Sequence, residues 1–454
     1  MRILAAALTL LLFVALFAGC VRSRAVPPED LSDSELDSRA RGFLNWVAEG
    51  AFDDAVAMMD SKMASVLPAS RLKSTWESLI AQVGSFRGII SVKVAVEAGF
   101  KVAYVKCDFD YALIDAKVVF DRQGKVSGLW FGLPQAKSSD YREPPYTVAG
   151  SFTEVDVELG KEPWVLPGTL TLPAGEGPFP AVVLVHGSGP QDRDETIGPN
   201  KPFKDLAYGL ASKGIAVLRY EKRTRQYAEV LSGKVSTFTL REEVVDDAVE
   251  AVAFLRKAEK IDPTRVFILG HSLGASSAPR IAEAVLEATG EPPAGLIMLA
   301  PSARPVIDLI VEQYRYLAEL DGRLSDEESS QLEEVEAAVK KIREGTMKPG
   351  EMILGAGKAY WDDLLAYDPV SKAKELGIPI FILQGERDYQ VTMEDFSIWQ
   401  AELGSLAGAE LMSFPGLNHL FMYGEGKSSP EELGVPGNVH EGVVAAIAEW
   451  VKSR

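Results

Sequence analysis

The sequence predicts an α/β chain: a mostly parallel sheet covered on both faces by helices, preceded by a small α+β domain. Three observations carry this reading. From about residue 181 onward, short apolar runs suited to buried strands alternate with amphipathic helical stretches, the pattern of a parallel sheet between helical layers. Residues 32–132 read as helices first and strands afterwards, the order of an α+β unit. Between the two, Leu133–Thr147 holds three prolines and the pair Ser138-Ser139, a linker composition.

The chain opens Met1-Arg2, runs apolar from Ile3 to Ala18 and reaches Ala18-Gly19-Cys20. A basic start, a short apolar core and small residues at its end describe a secretory signal peptide. Leu16-Phe17-Ala18-Gly19-Cys20 resembles the lipobox of bacterial lipoproteins, with Phe17 where Leu is more usual. That resemblance implies a signal peptide over 1–19, cleavage before Cys20, lipidation of its sulfur and a protein held on the extracytoplasmic side of a membrane. The competing reading is an uncleaved span, for which the apolar run is short. Residues 20–31 read as a tether.

The first domain spans 32–132. Ser32-Asp33-Ser34-Glu35 has capping-box spacing and starts a helix to about Ala48. Helical stretches follow near Phe52–Asp60 and Ala69–Val83, then strands at Ile89–Glu97, Val102–Tyr111, Lys117–Asp121 and Val126–Trp130. Cys107 falls on the apolar side of its strand, as a buried structural thiol would. The pattern is similar to the cone-shaped nuclear-transport-factor type of fold. No convergent His, Asp and Glu set points to chemistry there.

After a linker at 133–150, the second domain is expected over 151–454. Phe152–Leu159 and Trp164–Leu172 read as an antiparallel pair. Ala181–Val185, Ile215–Arg219, Val266–Leu269, Leu296–Leu299 and Ile378–Leu383 read as buried strands, with Glu410–Phe414 as the last. Leu240, Val244, Ala248, Val252 and Leu255 form one stripe of a helix, capped by Thr239. Nearly eighty residues separate Leu299 from Ile378, far more than a crossover needs. Val306–Leu320 and Glu327–Arg343 are expected to build a helical cap over about 304–365.

Composition narrows the function. A net charge of −18, from 47 basic and 65 acidic side chains, argues against nucleic acid as a partner. Two cysteines, Cys20 and Cys107, make neither a disulfide framework nor a cysteine-rich zinc site.

The sharpest motif is Gly270-His271-Ser272-Leu273-Gly274, between a strand and a helical stretch. A serine on so tight a turn needs glycines two residues before and after it, and the helix behind it favours negative charge. A glycine-serine turn that merely caps a helix is the bland alternative. Acyl transfer also needs two N–H donors aimed at an oxyanion. Leu273 N–H follows the nucleophile; the loop His186-Gly187-Ser188-Gly189-Pro190 supplies the second, assigned to Ser188. The acid should follow a later strand, and Gly385-Glu386-Arg387-Asp388 offers Asp388, with Glu386 as runner-up. Four histidines occur. Since His186 and His271 belong to the two motifs above, His419 is preferred as base over His440, which opens the final helix. The proposed set is Ser272, Asp388 and His419.

These motifs together resemble the α/β-hydrolase superfamily over roughly residues 150–454. Within it, Gln191–Asp194 after the glycine loop and Leu218-Arg219-Tyr220-Glu221-Lys222-Arg223 are similar to bacterial lipoprotein-type carboxylesterases of the esterase D type and to serine aminopeptidase-like hydrolases. The resemblance implies hydrolysis of small-molecule carboxylic esters of short or medium chain through an acyl-enzyme, with no metal or organic cofactor. A peptidase, aminopeptidase or thioesterase is the alternative within the fold. A non-enzymatic binding lipoprotein is the alternative outside it.

Overall fold

The structure, a computed structural model, describes residues 31–97, 100–109, 113–132, 141–232 and 236–454. Cys20, the leader and the first part of the linker lie outside the described residues. Of the described residues, those before 133 together with 228–232 form one compact unit and the rest form a second.

The first unit starts with α1, Asp33–Ala48, and both hydrogen bonds of the Ser32–Glu35 capping box are made. The helical stretch expected over Phe52–Asp60 ends early, and a second helix begins just beyond it. α2 covers Phe52–Ala57. The Asp60 side chain then accepts Met63 N–H at 2.7 Å and starts α3, Ser61–Val66. Asp60 thus lies between the two helices and serves as the N-cap of the second. α4 is Ala69–Val83. A four-stranded antiparallel meander follows: β1 Phe86–Glu97, β2 Phe100–Phe109, β3 Leu113–Phe120 and β4 Val126–Gly132. The strand expected to reach Tyr111 ends at Phe109, and Tyr111 is outside the described residues. Asp121 turns the chain, accepting Gln123 and Lys125 N–H. Helices and sheet share one core, in which Trp76 meets Phe86, Phe109 and Phe131. Cys107 is fully buried there, and burial pushes its thiol pKa up to about 12.

The second unit is built on an eight-stranded sheet. Its strands are β5 Phe152–Leu159, β6 Leu166–Pro173, β7 Phe179–Val185, β8 Ala216–Tyr220, β9 Ile261–His271, β10 Leu296–Leu299, β11 Ile380–Gly385 and β12 Ala409–Phe414. The order is β12-β11-β10-β9-β7-β8-β6-β5. β7 to β12 pair in parallel, with β8 beside β7, while β5 and β6 add an antiparallel edge. β7, β10, β11 and the second half of β9, from Val266, are almost wholly buried, which is why they are nearly continuous apolar runs.

The helices of this unit include α5 Pro202–Ala211, α6 Asp246–Leu255, α7 Leu273–Thr289, α8 Val306–Ala318, α9 Asp326–Arg343, α10 Lys358–Leu365, α11 Pro369–Leu376, α12 Met393–Leu403 and α13 Glu441–Lys452. The stripe from Leu240 to Leu255 is buried as its spacing predicts. Its first turn differs from expectation: Arg241–Val245 is a π-turn, and it buries Glu243. Widened turns of this kind recur where a side chain must be re-aimed.

On one face Trp450 of α13 lies edge-on to Phe267 of β9, with centroids 5.7 Å apart, and stacks on Phe381 of β11 at 5.6 Å. Phe267 is fully buried. Phe267→Ala should therefore destabilise the unit by about 3–5 kcal/mol, read as a lowered urea midpoint; a cost below about 1 kcal/mol would contradict this packing.

Candidate active site

β9 carries the chain into the sheet's C-terminal end, and α7 carries it away. Ser272 is the single residue between them and has φ 53° and ψ −117°, a strained conformation costing about 1–3 kcal/mol. Its surroundings impose it. Ser272 N–H donates to Leu299 O at 2.9 Å. A Cβ on Gly270 would lie 2.3 Å from the Gly274 carbonyl carbon, and one on Gly274 would lie 2.3 Å from Val185 O. The two glycines let the turn press against its own helix and against the end of β7.

The acid loop follows β11. Asp388 is buried; its Oδ1 accepts the N–H groups of Gln390 at 2.8 Å and Val391 at 3.1 Å. Gln384 Nε2 donates to Oδ2 at 3.2 Å. The same Oδ2 receives His419 Nδ1–H at 2.7 Å. With Nδ1 as donor, His419 Nε2 keeps its lone pair, the tautomer a general base requires. The histidine loop is braced by Asn418, whose Oδ1 accepts from Leu420 and Met422 N–H. Glu386, the runner-up acid, is exposed and bonded to Ser413. His440 caps α13 through Gly442 N–H. The structure thus brings Asp388 and His419 together and leaves both alternatives elsewhere.

The glycine loop lies beside Ser272: a Cβ on Gly187 would be 3.3 Å from Ser272 Cβ. Gly187 N–H is taken by Glu195 Oε1 at 2.7 Å, and Gly187 O by Lys222 Nζ at 2.6 Å. Among the described residues no acceptor faces Ser188 N–H or Leu273 N–H, as two donors kept for an oxyanion would be.

Below this loop sits buried charge. His271 Nε2–H donates to His419 O at 2.9 Å, and its Nδ1 lies 3.0 Å from Glu195 Oε2. Burial works against charge on both groups. Their mutual attraction outweighs it, holding His271 above and Glu195 below their ordinary pKa values. His186 behaves in the opposite way. Burial, with Lys222 nearby, pushes its pKa down to about 4, although Glu195 pulls the other way. Its Nε2–H donates to Asp192 O.

Comparison with known proteins fits this geometry. Residues 182–433 match the alpha/beta hydrolase family. Esterase EstD of Thermotoga maritima is 42% identical over 416 residues, 92% of this chain and 95% of that protein. The chain belongs to the α/β-hydrolase family. A putative carboxymethylenebutenolidase of Methylorubrum extorquens is 28% identical over 141 residues, 28% of this chain and 44% of its own length. Among solved structures, Est1E from Butyrivibrio proteoclasticus aligns with a TM-score of 0.43 at 17% identity, covering 66% of this chain and 98% of that one. Residues 40–129 match a family of unknown function, DUF3887.

As an α/β-hydrolase, the chain shows features that its motifs alone did not reveal. Glu195, at φ 52°, and its tie to His271 were not anticipated. Neither was Lys222, although it stands in the Leu218–Arg223 block that carries the family resemblance. The cap aromatics are mainly packed: Tyr360 and Trp361 are buried, and Tyr316 stacks on Tyr389 at 4.8 Å. Cap helix α8 is fastened to the acid loop by Gln313 Nε2, which donates to Gln390 O at 2.8 Å.

A pH test follows from His186. Between pH 6.5 and about 4 the unfolded chain binds a proton at this ring and the folded chain does not. Stability therefore falls as pH drops through that window, by about 3 kcal/mol from this group. His186→Gln should show a shallower loss of urea stability from pH 6.5 to 4. An equally steep loss would contradict the assignment.

Proposed function

We propose that this chain is a serine carboxylesterase that hydrolyses short- to medium-chain esters through an acyl-enzyme. The observation that carries the reading is the 2.7 Å bond between His419 Nδ1 and Asp388, made across two loops that meet at the sheet end holding the strained Ser272. The extensive identity with a named esterase supports the same reaction class.

In this reading Ser272 Oγ attacks the ester carbonyl carbon while His419 Nε2 takes its proton. The tetrahedral oxyanion is held by the N–H groups of Ser188 and Leu273. Asp388 orients the imidazole and stabilises its cation. His419 then returns the proton to the leaving alcohol, leaving an acyl group on Ser272. Water, activated by the same histidine, releases the acid and restores the serine. Ser272→Ala should cut kcat by about a hundred-thousandfold or more with the melting temperature retained. The assay is hydrolysis of p-nitrophenyl esters of increasing chain length by the full chain. Retained turnover in the variant would remove Ser272 from its role. Activity on aminoacyl amides or thioesters, with none on oxygen esters, would favour the peptidase or thioesterase reading instead.

We also propose that the protein is exported and anchored through a lipidated Cys20. The support is the sequence Leu16–Cys20. In a bacterial host, metabolic labelling with an alkynyl fatty acid should mark the wild type and not Cys20→Ser. Equal labelling of both would refute the anchor.

A further inference from the structure

A trans peptide points its C=O and its N–H in opposite directions. The Gly187–Ser188 bond is trans, and its carbonyl receives Lys222 Nζ at 2.6 Å. Ser188 N–H is therefore aimed away from Lys222. The remaining bonds of this loop do not use it: Gly187 N–H goes to Glu195, Ser188 O accepts from Gln191 Nε2 and Gly189 O from Thr224 Oγ1. Lys222 is only 2% exposed, so its charge acts at low dielectric on the peptide it touches. An ammonium on the carbonyl oxygen draws electrons along the amide and makes the N–H at the other end a stronger donor. The ammonium is itself fixed. Its partner Glu243, on the π-turn, takes one Nζ hydrogen on Oε1 at 2.6 Å, and Tyr360 Oη–H donates to Oε2 at 2.6 Å. Tyr360 belongs to α10, within the cap.

We propose that Lys222 is a positioning residue of the oxyanion hole: it orients and polarises the Gly187–Ser188 peptide so that Ser188 N–H meets the developing oxyanion. Tyr360 of the cap, through Glu243, holds it in place. The inference rests on the esterase reading above and adds to it a buried cation that never touches substrate. It also explains why a lysine is buried where a neutral donor would satisfy one carbonyl.

The test pairs Lys222→Met with Glu243→Gln in the full chain, so that neither charge is left buried alone. Three quantities are read: kcat and KM on a p-nitrophenyl ester, the inhibition constant of a trifluoromethyl ketone, whose adduct with Ser272 carries an oxyanion, and the melting temperature. We expect kcat to fall by about tenfold to a hundredfold, short of the hundredfold to thousandfold lost when an oxyanion donor is deleted. KM should stay within about twofold and the inhibition constant should rise in step with the fall in kcat, as for an interaction made only in the transition state. A folded double variant with wild-type kcat and inhibitor affinity would overturn the inference alone. A loss confined to KM or to melting temperature would do the same, since it would show a merely structural lysine. A wild-type chain that hydrolyses no ester would overturn the esterase reading, and this inference with it. If the pair does not fold, Lys222→Arg keeps the buried charge but forces a larger, planar group against Gly187 O. It should lower kcat by about threefold to tenfold through displacement of the donor. Wild-type kcat in that folded variant would also overturn the inference.

Discussion

The site depends on how closely the turn at Ser272 presses against the end of β7. The gap at Gly274 is so small that a Cβ there would sit 2.3 Å from Val185 O and 2.6 Å from His186 O. That approach puts Ser272 beside the glycine loop. It also holds Ser272 in a conformation that an ordinary turn would relax. A similar constraint acts at the acid loop, where a Cβ on Gly385 would lie 2.5 Å from Leu417 O. Backbone contact between the loops, rather than side-chain reach, thus sets the separation of Asp388 and His419.

Electrostatics then divides the buried groups by task. His186 is kept neutral by burial, while the attraction between His271 and Glu195 favours the charged form of each. The His271–Glu195 pair links the carbonyl of His419 to Gly187 N–H, so one contact braces the loops carrying His419 and Gly187 together. Pairs of this kind are weak sources of net stability, because desolvation offsets their attraction. Their contribution here is geometric.

Much of this was legible in the sequence. The strand and helix order, the elbow, the glycine loop and the acid and histidine motifs are local patterns, and each is written within a few neighbouring residues. Ser32–Glu35 and the stripe from Leu240 to Leu255 are legible for the same reason. What stayed hidden is long-range or depends on a local competition. Asp60, read as the end of one helix, is the N-cap of the next. The π-turn at Arg241–Val245 leaves the apolar stripe intact, so spacing alone cannot reveal it, yet it buries Glu243. The contacts of Lys222 with Gly187 and Glu243 join residues 35 and 21 positions apart, and no periodicity encodes them.

The central claim is that Ser272, activated by His419, is the nucleophile. Peptide mapping by mass spectrometry after treatment with a fluorophosphonate tests it most directly. One covalent adduct is expected, on the peptide carrying Ser272, formed quickly in the wild-type chain and at least about a thousandfold more slowly in His419→Ala. An adduct on another residue, or equal labelling rates in both chains, would contradict it.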